Sequence, residues 1–458
     1  MENLKRALNE SAPMRWGILL FVSFVMAANY YFYDAFSPIQ SVLEAKLGWL
    51  SEDYGIMQSF YSFPNTFLIM AILGGIILDR WGIRVTGMLF VGFMSLGGLI
   101  MAYGVSDVFL ARGPGYHLLA SFWPDSSPEL KIMSLGFLMF GLGAETSIVV
   151  INKIMVKWFK GKEIALAFAL NLAVARIGSF LAFRVQSRIA GPEGSDWQLA
   201  VWFASLLLIV AFFFFLVYVL FDVKIDRQLQ AGMPVDPKEK FKLSDVLDLF
   251  KNRAFILITL LCLSFYSAVF PFVKYASDFF LNKWGLSLEA SGDYTSWLFI
   301  GAIIFTPIFG SVVDWKGKSA TLMIFGSVLL ILVHGVLAFT NLNPVVPIII
   351  LGIAFSLVPA AMWPAVAKIV DENRIGTAYG IMFSIQNLGL WGIPLIAGKI
   401  VTKTPQVMNQ VGNLAKDYTW TIILFGLLGF LGLLFSLLLK AEDKRKKLAL
   451  DLPSNQLN

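Results

Sequence analysis

The sequence predicts an all-α membrane protein with about twelve transmembrane helices in two six-helix bundles. Three observations predict it. Only 14% of the residues are charged and 57% are hydrophobic, with a mean hydropathy of +0.73, whereas a water-soluble chain carries roughly 25% charge. The apolar residues form runs as long as a bilayer span, such as 204–221, 255–272, 321–339 and 420–439, without the alternation of a transmembrane β-barrel. One short Gly–Asp–Gly motif also recurs at corresponding places in the two halves of the chain.

The expected spans of the first half lie near 15–37, 53–78, 85–104, 131–157, 162–188 and 197–222. Those of the second half lie near 254–281, 288–313, 319–340, 344–369, 375–402 and 417–440. The chain therefore divides into an N-terminal bundle (1–222), a cytoplasmic linker (223–253), a C-terminal bundle (254–440) and a cytoplasmic tail (441–458). The linker, which contains Pro234 and Pro237, reads either as a plain connection or as a partly helical surface segment. The apolar run Gly17–Ala28 follows basic residues like a signal peptide, but the many spans behind it make it the first, uncleaved helix.

Basic residues concentrate in every second loop: Lys5, Arg6 and Arg15, then Arg80 and Arg84, then Lys157, Lys160 and Lys162, then Lys224–Arg253 and Lys444–Lys447. This is the positive-inside pattern. It places both termini in the cytoplasm and requires an even number of spans. The one Asn-x-Ser/Thr sequon, at Asn9, then falls on the cytoplasmic side, and with no clear acidic dileucine signal in the tails a bacterial inner membrane fits best. It also explains the net charge of +6 through the lipid bilayer rather than through nucleic acid. The single cysteine, Cys262, leaves no disulfide framework and no thiolate metal site. His117 and His334 form no metal pattern, and no phosphate-binding Gly-x4-Gly-Lys-Ser/Thr loop occurs, so no cofactor, metal or enzymatic centre is expected. The long loop 106–130, with Arg112, His117, Trp123, Pro124 and Asp125, reads as an outer surface insertion rather than a lid.

Gly75-Ile-Ile-Leu-Asp79-Arg80-Trp-Gly82 follows the second span, and Gly310-Ser-Val-Val-Asp314-Trp-Lys-Gly317 follows the eighth. Glycine permits close helix approach, and an aspartate at a helix end can bind a neighbouring helix N-terminus or a cation. The twin pattern resembles the signature of the major facilitator superfamily. That resemblance implies the major facilitator fold, a central cavity, alternating access, and a gating role for Asp79, Arg80 and Asp314.

Ionisable residues inside spans are costly, so each is a functional candidate. Glu145 lies midway along the fourth span and Arg176 midway along the fifth. At about 1.5 Å per residue they lie about 18 Å and about 21 Å from the shared loop, so antiparallel packing gives them a common depth. Arginine suits bidentate capture of a carboxylate, and glutamate can take an ammonium group or a proton. Together they suit a zwitterion. The alternative is a structural ion pair, or one pair that closes on itself when empty and parts around a ligand.

Further candidates surround them. Asn152 shares a helical face with Glu145, as a second polar ligand or a packing contact. Tyr30, Tyr33 and Asp34 share a face of span one, where Asp34 is either a site residue or a solvated helix end. Span seven offers Tyr266 and the helix-breaking Pro271. Lys274 and Asp278 follow at pairing distance, with Lys274 expected to snorkel to the outer surface. Trp363 between Pro359 and Pro364 is positioned either to stack on a ligand or to pack among neighbouring helices. Of the adjacent Gln386 and Asn387, one is expected to face inward.

Six segments resemble one branch of the superfamily, the lysosomal dipeptide transporters and their bacterial relatives. They are Trp158–Glu163, Ala175–Ser179, Ala268–Phe272, Met362–Ala365, Gly376–Gly380 and Ser384–Leu390. The resemblance implies passage of dipeptides, and its span-four Glu, span-five Arg, span-one Tyr–Asp run and span-ten Trp fall on Glu145, Arg176, Tyr30 or Tyr31 to Asp34, and Trp363. Asn152, Asn387 and Tyr266 are expected beside them around the substrate from their own positions. An organic-anion or sugar carrier of the same fold, or a non-transporting receptor, is the alternative. Nothing in the sequence specifies an accessory subunit. Lys274 and the 106–130 insertion depart from the branch pattern, and the Glu-x-x-Glu-Arg run of proton-coupled oligopeptide carriers is missing.

Overall fold

The computed structural model describes residues 10–159, 162–229, 243–371 and 374–453. The sequon at Asn9, Lys160, the linker residues Pro234, Pro237, Lys238, Lys240 and Lys242, and tail residues 454–458 lie outside the described residues.

Eleven helices among the described residues are long and apolar enough to cross a membrane. In the first half, α1 (Ala12–Asp34) runs through a 3-10 turn into α2 (Gln40–Leu47). Next come α3 (Ser51–Phe67), α4 (Met70–Gly104), the short α5 (Asp107–Leu110) and α6 (Tyr116–Ala120), α7 (Pro128–Phe159), α8 (Ile164–Ala190) and α9 (Trp197–Leu229). The linker contributes α10 (Leu243–Lys251), so it is partly helical. The second half holds α11 (Arg253–Trp284), α12 (Leu288–Lys316), α13 (Ser319–Phe339), α14 (Val345–Ile369), α15 (Ile375–Lys403) and α16 (Thr419–Lys446). A hairpin between α15 and α16 pairs Val407 with Ala415 and Met408 with Leu414.

The twelfth crossing is hidden by two breaks. At about 1.5 Å per residue α4 would be about 52 Å long, too much for one crossing of about 30 Å. Gly82 interrupts it with φ 77° and ψ 172°, a conformation suited to glycine. The part of α4 before Gly82 continues α3, which ends at Phe67; between them Ile69 adopts a left-handed φ of 53°. Pro64 lies in the last turn of α3 and lacks the amide that would bond back along the helix. The expected continuous span 53–78 is therefore broken near its middle.

The twin motif acquires a backbone reason. Its last glycine has positive φ in both copies, at Gly82 (+77°) and Gly317 (+66°). Its first does not mediate the close packing expected from sequence: a side chain added at Gly75 or Gly310 would meet open space. The turn, rather than helix approach, is what the repeat specifies.

Within the first bundle α1 packs on α8 and α9, and α7 packs on α3 and α4. Within the second, α11 packs on α15 and α16, and α14 packs on α12 and α13. The halves meet along α3–α15 and α8–α12, with α11 crossing to the turn after α1. The 106–130 insertion lies on the surface, with Arg112, His117, Trp123, Pro124 and Asp125 all exposed.

Candidate functional site

Arg176 lies in the middle of α8, where its stem emerges beside α1. Its guanidinium lies 5.2 Å from the ring centre of Tyr30 on α1 and 4.9 Å from that of Phe355 on α14. The two rings belong to opposite halves. Aromatic faces attract the cation but leave its N–H groups unbonded, and Nη1 is buried without a hydrogen-bond partner. Arg176 forms part of the wall of a cavity of about 230 Å³ together with Tyr266 of α11, Ala302 of α12 and Phe355.

Glu145 on α7 is half-buried, and its Oε1 accepts a hydrogen bond of 2.8 Å from the Tyr61 hydroxyl of α3. Tyr61 in turn packs on Tyr33, with ring centres 4.4 Å apart. Among the described residues no ion pair joins Glu145 to Arg176, so the expected closed pair of the empty state is corrected. Each charge is held by its own aromatic surroundings: the acid by a phenol, the base by two ring faces. A buried donor without an acceptor is costly, typically by about 1–3 kcal/mol, so Arg176 is left with capacity for an anionic ligand.

Trp363 does not present a free face. Its ring stacks on Phe383 with centres 4.7 Å apart, and its Nε1 donates to the Tyr266 hydroxyl at 3.0 Å. It therefore reaches the cavity through Tyr266. Asn387 is buried; its Nδ2 donates to the Phe383 carbonyl and its Oδ1 has no partner. Gln386 is buried as well and accepts from Cys262 Sγ at 3.4 Å, so both adjacent amides face the interior. Asn152 is half-buried two turns along α7 from Glu145. At the end of the molecule nearer the termini, Asp79 pairs with Lys153 of α7 at 2.6 Å, and Arg80 and Asp314 are exposed.

The far end, opposite the termini, overturns two expectations. Lys274 does not snorkel: it is 3% exposed, and its ammonium donates to Asp34 Oδ1 at 2.8 Å and the Tyr33 carbonyl at 2.6 Å. Asp34 is consequently not a solvated helix end but the buried partner of a cation from the other half. Lys274 does not pair with Asp278 either. Asp278 accepts from Lys416 at 2.8 Å and from the Tyr418 hydroxyl, while Lys416 also pairs with Glu44 of α2. The Ser37 hydroxyl adds bonds to the carbonyls of Val273 and Lys274, and Arg188 of α8 grips Asp293 of α12 with two bonds of 2.8 Å. Lys416 lies in the loop before α16; burial alone would lower its ammonium's pKa, but the Asp278 and Glu44 carboxylates outweigh burial and raise it. The far end is thus closed by polar bonds from half to half.

Tyr61, Phe355, Glu44, Lys416 and Tyr418 were not among the expected site residues. For Glu44 and Lys416 the available signal was charge beside an apolar run. For the aromatic residues there was none, because their types are common throughout these spans.

The chain matches the Major Facilitator Superfamily over residues 19–394 and 275–454. It is 31% identical over 403 residues to the lysosomal dipeptide transporter MFSD1 of Mus musculus, covering 86% of this chain and 82% of that one. It is 22% identical over 408 residues to a hexuronate transporter of Bacillus subtilis, covering 84% of this chain and 88% of that one. Among solved structures, a D-xylose-proton symporter superposes with a TM-score of 0.68 at 13% identity, covering 92% of this chain and 97% of that one. This last likeness concerns the fold.

Proposed function

We propose that this chain, which belongs to the Major Facilitator Superfamily and is a multi-pass membrane transporter, carries small zwitterionic solutes, dipeptides in particular, by alternating access. Arg176 takes the substrate carboxylate and Glu145 its ammonium group. The observation that carries this reading is the unpartnered Nη1 of Arg176 in a cavity wall, with the Glu145 carboxylate held separately by Tyr61. Two opposite charges that do not neutralise each other are each available to a ligand bearing both signs. The similarity to MFSD1, named a dipeptide transporter, supports the same substrate class.

In this reading Tyr30 and Tyr266 orient the substrate around Arg176, Trp363 fixes Tyr266, and Asn387 and Asn152 supply further polar contacts. Asp34 with Lys274 latches the far end, and Asp79, Arg80 and Asp314 act at the end nearer the termini. In the same reading both termini lie on the cytoplasmic side of a bacterial inner membrane, which the basic loops support for the termini, and bundles 1–222 and 254–440 are joined by the linker 223–253 and followed by the tail 441–458.

Uptake of labelled dipeptide into proteoliposomes tests the proposal, with Arg176→Ala and Glu145→Gln beside the native chain. Both variants should lose most uptake while retaining their thermal unfolding transitions. Undiminished uptake in folded variants would defeat the role assignment. The hexuronate transporter similarity favours one rival, an organic anion; uptake of a monocarboxylate that needs Arg176 but tolerates Glu145→Gln would select it.

A further inference from the structure

The cavity beside Arg176 has a one-sided character. Its volume, about 230 Å³, lies below the roughly 300–1,000 Å³ of a site for a whole small molecule. Apart from Arg176 its lining is mostly apolar and small, with Ala173 on α8 and Ala302, Ile303 and Pro307 on α12. Its two aliphatic hydroxyls are already committed. Thr306 donates to the Ala302 carbonyl at 2.6 Å, and Ser356 to the Gly352 carbonyl at 2.9 Å. No carboxylate lines it, and Glu145 lies outside its lining.

We propose that this cavity receives the side chain of the C-terminal residue of a dipeptide and selects an uncharged, apolar one. The inference rests on the reading that Arg176 binds the substrate carboxylate. In a dipeptide, the carbon bearing that carboxylate also bears the C-terminal side chain, so anchoring the one at Arg176 directs the other into the adjoining space. The ammonium group, drawn to Glu145, points away from it. A basic side chain would enter a space whose only charge is a guanidinium of the same sign. An acidic one would compete with the terminal carboxylate for that single guanidinium. An aliphatic side chain loses no hydrogen bond and leaves water for an apolar wall, a gain of about fourfold in affinity per buried methylene. Ala302 of α12 is buried and lines the cavity, so a larger residue there would leave less room for that side chain.

The test uses the full chain in proteoliposomes and two mirrored series of unlabelled competitors. Gly-Ala, Gly-Val, Gly-Leu and Gly-Lys vary the C-terminal residue; Ala-Gly, Val-Gly, Leu-Gly and Lys-Gly vary the N-terminal one. Gly-Leu should compete at least about tenfold better than Gly-Ala, Gly-Lys should compete poorly, and the N-terminal series should be flatter. Ala302→Leu should shrink the ratio between Gly-Leu and Gly-Ala. Equal dependence on both positions, or Gly-Lys competing as well as Gly-Leu, overturns the inference; with Arg176-dependent dipeptide uptake intact, the substrate reading survives it. If no dipeptide is taken up or competes, both fall. The native series decides the matter even if Ala302→Leu does not fold.

Discussion

The Lys274 ammonium lies 2.8 Å from the Asp34 carboxylate, a buried ion pair that joins opposite halves of the molecule across 240 residues of sequence. Removing one partner leaves a charge stranded among apolar groups, at a cost of about 3–5 kcal/mol, whereas removing both is far milder. Lys274→Ala and Asp34→Ala should each lower the unfolding midpoint in detergent markedly, and the double variant should recover part of the loss. A double variant as unstable as the two losses added would show that the pair is not coupled. Labelling by maleimide at Ser37→Cys, in a Cys262→Ala background, should quicken in either single variant as the far end loosens.

Lys416 ties Glu44 of the first half to Asp278 of the second. Its folded-state pKa is raised above the ordinary lysine value. A raised pKa means the bridge contributes fully below the unfolded value of about 10.4 and is lost only as pH rises through the higher folded value. Between about pH 6 and 9 the Lys416 ammonium should therefore stay protonated and add no pH dependence of its own to closure of the far end. Lys416→Met should speed labelling at Ser37→Cys equally at both limits of that window. A native chain that loosens on its own toward pH 9, with the change abolished by Lys416→Met, would contradict the assigned direction.

Trp363 donates to the Tyr266 hydroxyl while its ring stacks on Phe383. Phenylalanine keeps the stack and removes the donor, and one such bond is worth about 1 kcal/mol net. Trp363→Phe should raise the apparent KM for dipeptide uptake by about fivefold, with the maximal rate little changed. A loss as complete as that of Arg176→Ala would mean that the indole touches substrate itself. No change would remove it from the positioning of Tyr266.

Glu145 and Arg176 were legible in the sequence because a charge inside an apolar span is costly and must have a compensating reason. Their separation was not, since Phe355, which covers Arg176, comes from the other half and resembles any other apolar residue. Lys274 was misread for a related reason. Local spacing shows Asp278 one turn away, while the true partner lies in span one, and no periodicity links residues so distant. Helix number and order followed from hydropathy. The break at Leu68 and Ile69 did not, although Pro64 was visible, because tertiary packing decides whether a proline in a span bends or interrupts it.

Gly82 offers a test of what the repeated motif is for. Its φ of 77° with ψ of 172° belongs to a region that residues with a β-carbon avoid, at a cost of about 1–3 kcal/mol. Space is not the obstacle, because a β-carbon there would meet nothing within 4 Å. Gly82→Ala should therefore lower the unfolding midpoint through backbone strain alone. Gly75→Ala, in the same motif and equally uncrowded but without positive φ, should be neutral or slightly stabilising, since alanine favours a helix. If packing against a neighbouring helix were the motif's purpose, the order would reverse and Gly75→Ala would be the damaging change. Thermal unfolding of the two variants side by side separates the turn from the contact.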